Sequence, residues 1–136
     1  MGTDKRSEMG EIMKVTPELL ELIHGGTNTG LASLNREIFL LYITIAGTSF
    51  CDQMKKIAPK LKRGTVLKMI RHPKNDHDEM AIGIYYEDTR IGWVPMRDNL
   101  VISRLMDAGK AFFCRVQSME WCNNWCKVEG KIYMVE

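Results

Sequence analysis

The chain has 136 residues, 45% of them hydrophobic, and a formal net charge of +2. That length favours one domain with a real core over two. No stretch approaches the ~20 apolar residues that a membrane span needs. The opening Met-Gly-Thr-Asp-Lys-Arg has no apolar run behind it, so no signal peptide is expected. A soluble, cytoplasmic protein is the reading, with Cys51, Cys114, Cys122 and Cys126 as reduced thiols.

Residues 1–14 are polar. Thr16-Pro17-Glu18 reads as a helix start, with a capping hydroxyl, a proline at the first helical position and an acid in the first turn. Leu19, Leu20, Leu22 and Ile23 follow, and Gly25-Gly26 stop the helix. His24 beside that stop is a favourable charge at a helix C-terminus. Residues 38–49, rich in Ile, Tyr and Thr, predict a strand. Residues 50–60 predict a loop or one helical turn, ended by Pro59. Thr65 to Arg71 predicts a second strand, with Leu67 and Met69 on one face and Val66, Lys68 and Ile70 on the other.

A polar loop follows, and then residues 80–86 and Arg90 to Val94 predict a hairpin about Glu87-Asp88-Thr89. Asp98 is a candidate cap for a helix over 99–108 that Gly109 would end. Phe112 to Gln117 and Val128 to Val135 predict the last two strands, with one of Phe112 and Phe113 facing inward. Trp121 and Trp125, between those strands, are expected to pack at the rim of the core rather than to bind a ligand. Six short strands and two or three helices predict a mainly β, α+β fold: a small six-stranded barrel with helical decoration. Residues 1–40 are assigned to an N-terminal extension with a short helix, and residues 41–136 to the barrel domain.

Net charge alone argues for no nucleic-acid partner, but its distribution is uneven. Between Asp52 and Asp76 stand Lys55, Lys56, Lys60, Lys62, Arg63, Lys68, Arg71 and Lys74 with no acid among them. A local field of that sign draws anions, phosphates above all; a merely solvated basic face is the plainer alternative.

The chemistry concentrates in Arg71-His-Pro-Lys-Asn-Asp-His-Asp-Glu-Met-Ala-Ile82. Pro73 denies His72 the helical region, and Asn75 and Asp76 are turn formers. Asp78 stands where its carboxylate caps the loop through backbone N–H groups or accepts a ligand hydroxyl. Asp76, His77 and Asp78 with His72 also invite a metal reading, but Met80 and Ala81 occupy places where a calcium loop requires a ligand and a glycine. Cys122 and Cys126 lack a second pair for a zinc site. No phosphate-cradling glycine loop and no supported catalytic triad is present. Neither a cofactor nor a metal is therefore expected, and the chain does not read as an enzyme.

At the loop the sequence resembles the HIRAN family, a module of DNA-repair helicases that also occurs as free-standing bacterial proteins. The likeness rests on Arg71, Pro73, Asn75, Asp78, Ala81, Ile82, Gly92 and Pro95, with Ala46-Gly47-Thr48 upstream and the helix ending at Gly109 downstream, over about residues 42–116. The resemblance implies an OB-like or SH3-like barrel that grips the 3′ end of single-stranded DNA, in DNA repair or replication restart, with a helicase or nuclease in trans. By position, Phe50 would stack on a base, Asp78 would accept the terminal 3′-hydroxyl, and Asn75 would shape the pocket. Arg71 would face phosphate or brace the loop. The family often has Tyr where this chain has His77, whose imidazole still stacks. Trp93 stands where repair helicases carry basic residues, and Arg97 is the nearest basic substitute. Two other functions are weighed: a metal-dependent nuclease using Asp76, His77 and Asp78, and a protein–protein adaptor.

Overall fold

Alternating burial organises the fold. The computed structural model describes residues 36–136, so the expected helix after Thr16 lies outside the described residues. Six strands follow in chain order: β1 (Glu37–Thr44), β2 (Val66–Arg71), β3 (Ile82–Tyr86), β4 (Thr89–Trp93), β5 (Ala111–Cys122) and β6 (Trp125–Val135). They form one antiparallel sheet in the order β1-β6-β5-β2-β3-β4. Between β1 and β2 lie a 3₁₀ turn at Thr48–Phe50, the single-turn helix α1 (Met54–Ile57) and a second 3₁₀ turn at Ala58–Lys60. Helix α2 (Met96–Asp107) joins β4 to β5.

In β2, Leu67 and Met69 turn into the core while Val66 and Ile70 face out, as side chains must alternate along a strand. Ile43, Ile45, Ile82, Ile84, Ile91, Val116, Val128 and Ile132 complete the core with Cys114 and Cys126. Phe112 points in and Phe113 out. All four thiols are free, Cys114 and Cys126 buried and Cys51 and Cys122 partly exposed.

The two ends of the sheet meet at one place. Just past β1, Ala46 exchanges two backbone hydrogen bonds of 2.8 Å with Trp93 of β4. The join is a single bridge rather than a ladder, so the expected barrel is a curved six-stranded sheet stitched at one point. The stitch requires Gly92: a β-carbon there would lie 2.4 Å from the Ala46 carbonyl oxygen and 2.6 Å from Ile45 Cγ2, closer than real contacts allow.

Three expectations are corrected. The strand expected over 38–49 ends at Thr44, because Gly47 takes a left-handed conformation (φ 78°) and turns the chain into the first 3₁₀ turn. Helix α2 begins at Met96, after Pro95, and Asp98 makes no side-chain cap; it lies in the first turn, where a negative charge favours the helix dipole. The segment between the last two strands is itself strand: β5 and β6 pair as far as Cys122 and Trp125, leaving Asn123-Asn124 as the turn. Asn123 has φ 59°, which asparagine tolerates better than most residues. That overhang leaves Trp121 and Trp125 42% and 40% exposed.

Candidate nucleic-acid interface

The loop from His72 to Ala81 is built from its own polar side chains. Asn75 Oδ1 accepts hydrogen bonds from the backbone N–H groups of His77 (2.8 Å) and Asp78 (3.0 Å), an Asx turn of the kind such residues form. Asp78 Oδ1 accepts from Met80 N at 2.9 Å. The base of the loop is closed by the His72 N–H to the Ala81 carbonyl at 2.9 Å.

Helix α2 then grips this loop from outside. Asn99, Ser103 and Asp107 recur every fourth residue, so they share one helix face. Asn99 Nδ2 donates to Asp78 Oδ2 at 2.7 Å, Ser103 Oγ lies 3.1 Å from Met80 Sδ, and Asp107 receives Arg71 in a bidentate pair at 2.9 and 3.1 Å. Arg71 also donates to the carbonyls of Glu79 and Ala81 at 3.0 and 2.9 Å. Four of its five donors are thereby engaged. These contacts run to the loop backbone and to α2.

Asp78 is half-buried, and each of its oxygens has one partner. A carboxylate offers about four lone-pair sites, so acceptor capacity remains. His77 is exposed, with its backbone held by Asn75 and its ring on the surface. Asp76 is exposed as well. Among the described residues no three His, Cys, Asp or Glu side chains are grouped to hold a metal ion.

The aromatic residues meet at Gly47. A β-carbon on Gly47 would lie 3.3 Å from Trp93 Cδ1 and 4.0 Å from Phe50 Cδ2, so the two rings flank the same turn. Phe50 is 88% exposed. Its 3₁₀ turn is anchored by the buried Thr48, whose hydroxyl donates to the Cys126 carbonyl at 2.6 Å. Cys126 is the cross-strand partner of Trp121, so this bond ties the Phe50 turn to the exposed overhang.

Trp93 is part of a cluster. The His72 ring meets it edge-on with centroids 5.0 Å apart, the Arg90 guanidinium lies 4.4 Å over it, and His72 Nε2 is 2.8 Å from Tyr85 Oη. Burial first, then the positive charges of Arg90 and Arg71, hold the His72 imidazole below its ordinary value. Arg97 is exposed in the first turn of α2, 3.4 Å from Asp98.

The structure thus assembles Asn75, His77 and Asp78 in one loop and Phe50 and Trp93 at one turn, and His72 in contact with Trp93 links the two groups. Arg71 lies beneath the loop, and Arg97 at the start of the helix that grips it. Seven of the eight basic residues between Asp52 and Asp76 are exposed, Arg71 being the exception. Sequence reasoning missed Asn99 and Ser103. The available signal was the four-residue spacing of Asn99, Ser103 and Asp107 among apolar neighbours. Among the described residues no helix is long and apolar enough to cross a membrane.

Comparison with known proteins bears on the fold and the family. No curated protein matches the chain. A crystal structure of a protein from Lactobacillus plantarum is similar with a TM-score of 0.69 at 19% identity, covering 75% of this chain and 98% of the other. The HIRAN domain of human HLTF is similar with a TM-score of 0.57 at 14% identity, covering 73% and 78%. The family model of the HIRAN domain matches residues 38–135, from the second residue of β1 to the last of β6, and the chain belongs to the HIRAN family.

Proposed function

We propose that this chain binds single-stranded DNA and reads its 3′-hydroxyl end, acting in DNA repair or replication restart beside a helicase or nuclease in trans. The observation that carries the reading is Phe50. An 88% exposed phenylalanine has no packing role, yet its turn is pinned by a buried hydrogen bond and lies against Trp93. A ring displayed on a rigid base suits base stacking, worth ~1–3 kcal/mol per base and tolerant of sequence. The exposed lysines and Arg63 supply attraction to the phosphates.

Asp78 supplies the end preference. Its unused lone pairs accept a hydrogen bond from a 3′-hydroxyl. A 3′-phosphate meets like-charge repulsion, and an internal linkage brings no donor. His77 offers a second stacking surface on the same loop. Trp93 backs Phe50, Arg97 offers a charge at the helix start, and Asn75 and Arg71 hold the loop in shape. The support for this reading is family membership, the pinned aromatic and the preorganised carboxylate.

The test is a binding titration with single-stranded DNA, duplex and RNA carrying varied 3′ ends. Tighter binding of 3′-hydroxyl than of 3′-phosphate strands is expected, with loss of that preference in Asp78→Ala and steep weakening by salt. Equal affinity for the two ends sinks the end-reading role.

A further inference from the structure

The solvent face of the sheet carries a feature that the end-reading loop does not use. Strand register places Phe39 of β1 opposite Tyr133 of β6, Tyr133 opposite Phe113 of β5, and Phe113 opposite Lys68 of β2. One step along, Tyr42 faces Lys131, Lys131 faces Arg115, and Arg115 faces Val66. Two parallel rows of aromatic and cationic side chains thus cross four strands on the outer face. Neighbouring strands are spaced ~4.8 Å apart.

A β-bulge makes the face. Phe39 and Tyr42 are three residues apart, which in a regular strand would put them on opposite sides. The register shift between Phe39 and Leu41 inserts one residue and brings both rings outward, their centroids 5.0 Å apart and edge-to-face. Phe113 and Tyr133 lie parallel at 5.2 Å. The Lys131 ammonium stands 5.6 Å from the centroids of both Phe39 and Tyr42, and Arg115 lies over Phe113 and Tyr133 at 4.7 and 4.8 Å. Phe39 and Tyr42 are 44% and 62% exposed.

The charge on this face selects its occupant. Glu37 pairs with Arg115 at 2.9 Å and Asp88 with Lys68 at 3.7 Å. No carboxylate of the described residues pairs with Lys131, Lys62 or Arg63. The last two precede β2 at a turn where the Gly64 N–H donates to the Val116 carbonyl, beside the Arg115 and Val66 end of the second row. Cations that no described carboxylate pairs, set beside rings, suit a polyanion that also offers flat π faces, and single-stranded nucleic acid has both.

We propose that this outer face is a second, end-independent platform, on which bases of a longer single strand stack at Phe39 and Tyr42 while Lys131, Lys62 and Arg63 contact its phosphates. The platform rests on the reading that the chain binds single strands, but not on recognition of the 3′ end. It lengthens the site beyond the nucleotides held near Asp78.

The experiment is fluorescence anisotropy with three labelled oligonucleotides: a 16-nucleotide strand ending in 3′-hydroxyl, the same strand ending in 3′-phosphate, and a 4-nucleotide strand ending in 3′-hydroxyl. Tyr42→Ala and Phe39→Ala are expected to weaken both long strands by roughly tenfold, as loss of one stacked base implies. They are expected to leave the short one within about twofold. Tyr42→Phe, which keeps the ring, restores long-strand binding. Thermal melts of each variant establish that the fold is intact. Unchanged long-strand affinity in folded Tyr42→Ala and Phe39→Ala overturns the platform, the result a protein-docking face would give. If Tyr42→Ala weakens both long strands equally while wild type shows no end preference, the platform stands and the end-reading role of Asp78 falls.

Discussion

The bond from Asn99 to Asp78 is the most informative one to break, because it holds the loop to its helix and leaves the carboxylate in place when cut from the Asn99 side. Asn99 is 3% exposed and donates to Asp78 Oδ2 at 2.7 Å. A hydrogen bond to a charged partner is worth ~1.5–3 kcal/mol, so Asn99→Ala should cost about 2 kcal/mol. Asp78→Ala removes the same bond, strips the acceptor from the Met80 N–H and strands the Asn99 amide where water hardly reaches it. A loss of about 3 kcal/mol is expected, since an unpaired buried donor costs ~1–3 kcal/mol. The double variant should lose only about 3–4 kcal/mol, short of the sum by about 1.5 kcal/mol, because the shared bond can be lost only once. Urea unfolding with a constant m-value measures all three. Losses that add to within about 0.5 kcal/mol would mean that the two groups are not coupled, and the loop would not be held as described. In the binding titration, Asn99→Ala should keep the preference for a 3′-hydroxyl end that Asp78→Ala loses. That separates a carboxylate that reads an end from one that only caps a loop.

Two further perturbations probe the frame. Gly92→Ala drives a methyl group against the Ala46 carbonyl oxygen and should break the bridge between Ala46 and Trp93. An unfolding loss of about 2–4 kcal/mol is expected, of the size seen for other severe packing faults, and unaltered stability would show that the edges of the sheet are not stitched there. His72 tests pH dependence. Its folded-state pKa is lowered, so the unfolded chain takes up the proton near the ordinary value of about 6.5 while the folded chain resists it. The contribution of neutral His72 is present above about pH 6.5 and is lost as pH falls below it. The stability advantage of wild type over His72→Gln should therefore shrink between pH 7.5 and 5, and an advantage that stays constant would refute the assignment.

What the sequence disclosed was local. Alternation in Thr65 to Arg71 reported its inner and outer faces, because side chains in a strand must alternate and Leu67 and Met69 shared a side. The proline, asparagine and aspartate of the loop announced a turn, because each favours one through its own backbone or side chain. Contacts that span the chain were hidden. Nothing near Arg71 says that its guanidinium reaches Asp107, 36 residues on. Nothing near Phe50 says that its turn hangs from Cys126 or flanks Trp93. The bulge at Leu40 was equally silent, since one inserted residue is set by pairing with β6 and not by β1 alone. The overhang carrying Trp121 and Trp125 was hidden for a related reason: the extension of β5 to Cys122 and of β6 back to Trp125 is set by the pairing of the two strands and not by either alone.

The candidate site divides its residues by the job their atoms already do. Arg71, Asn75 and Asn99 spend their polar groups on the loop, so their substitution should disturb binding only by way of shape. Phe50 does the reverse, for it contributes little to packing and its ring is free to meet a base. Asp78 does both, with one lone pair of each oxygen committed to the protein and the others open. On the proposed reading, that double duty would have a thermodynamic benefit. A carboxylate already fixed by Met80 and Asn99 loses little further freedom when a hydroxyl arrives, so less of the interaction energy goes to ordering the site. The contacts that make Asp78 look structural are thus the ones that would make it an effective reader of a strand end.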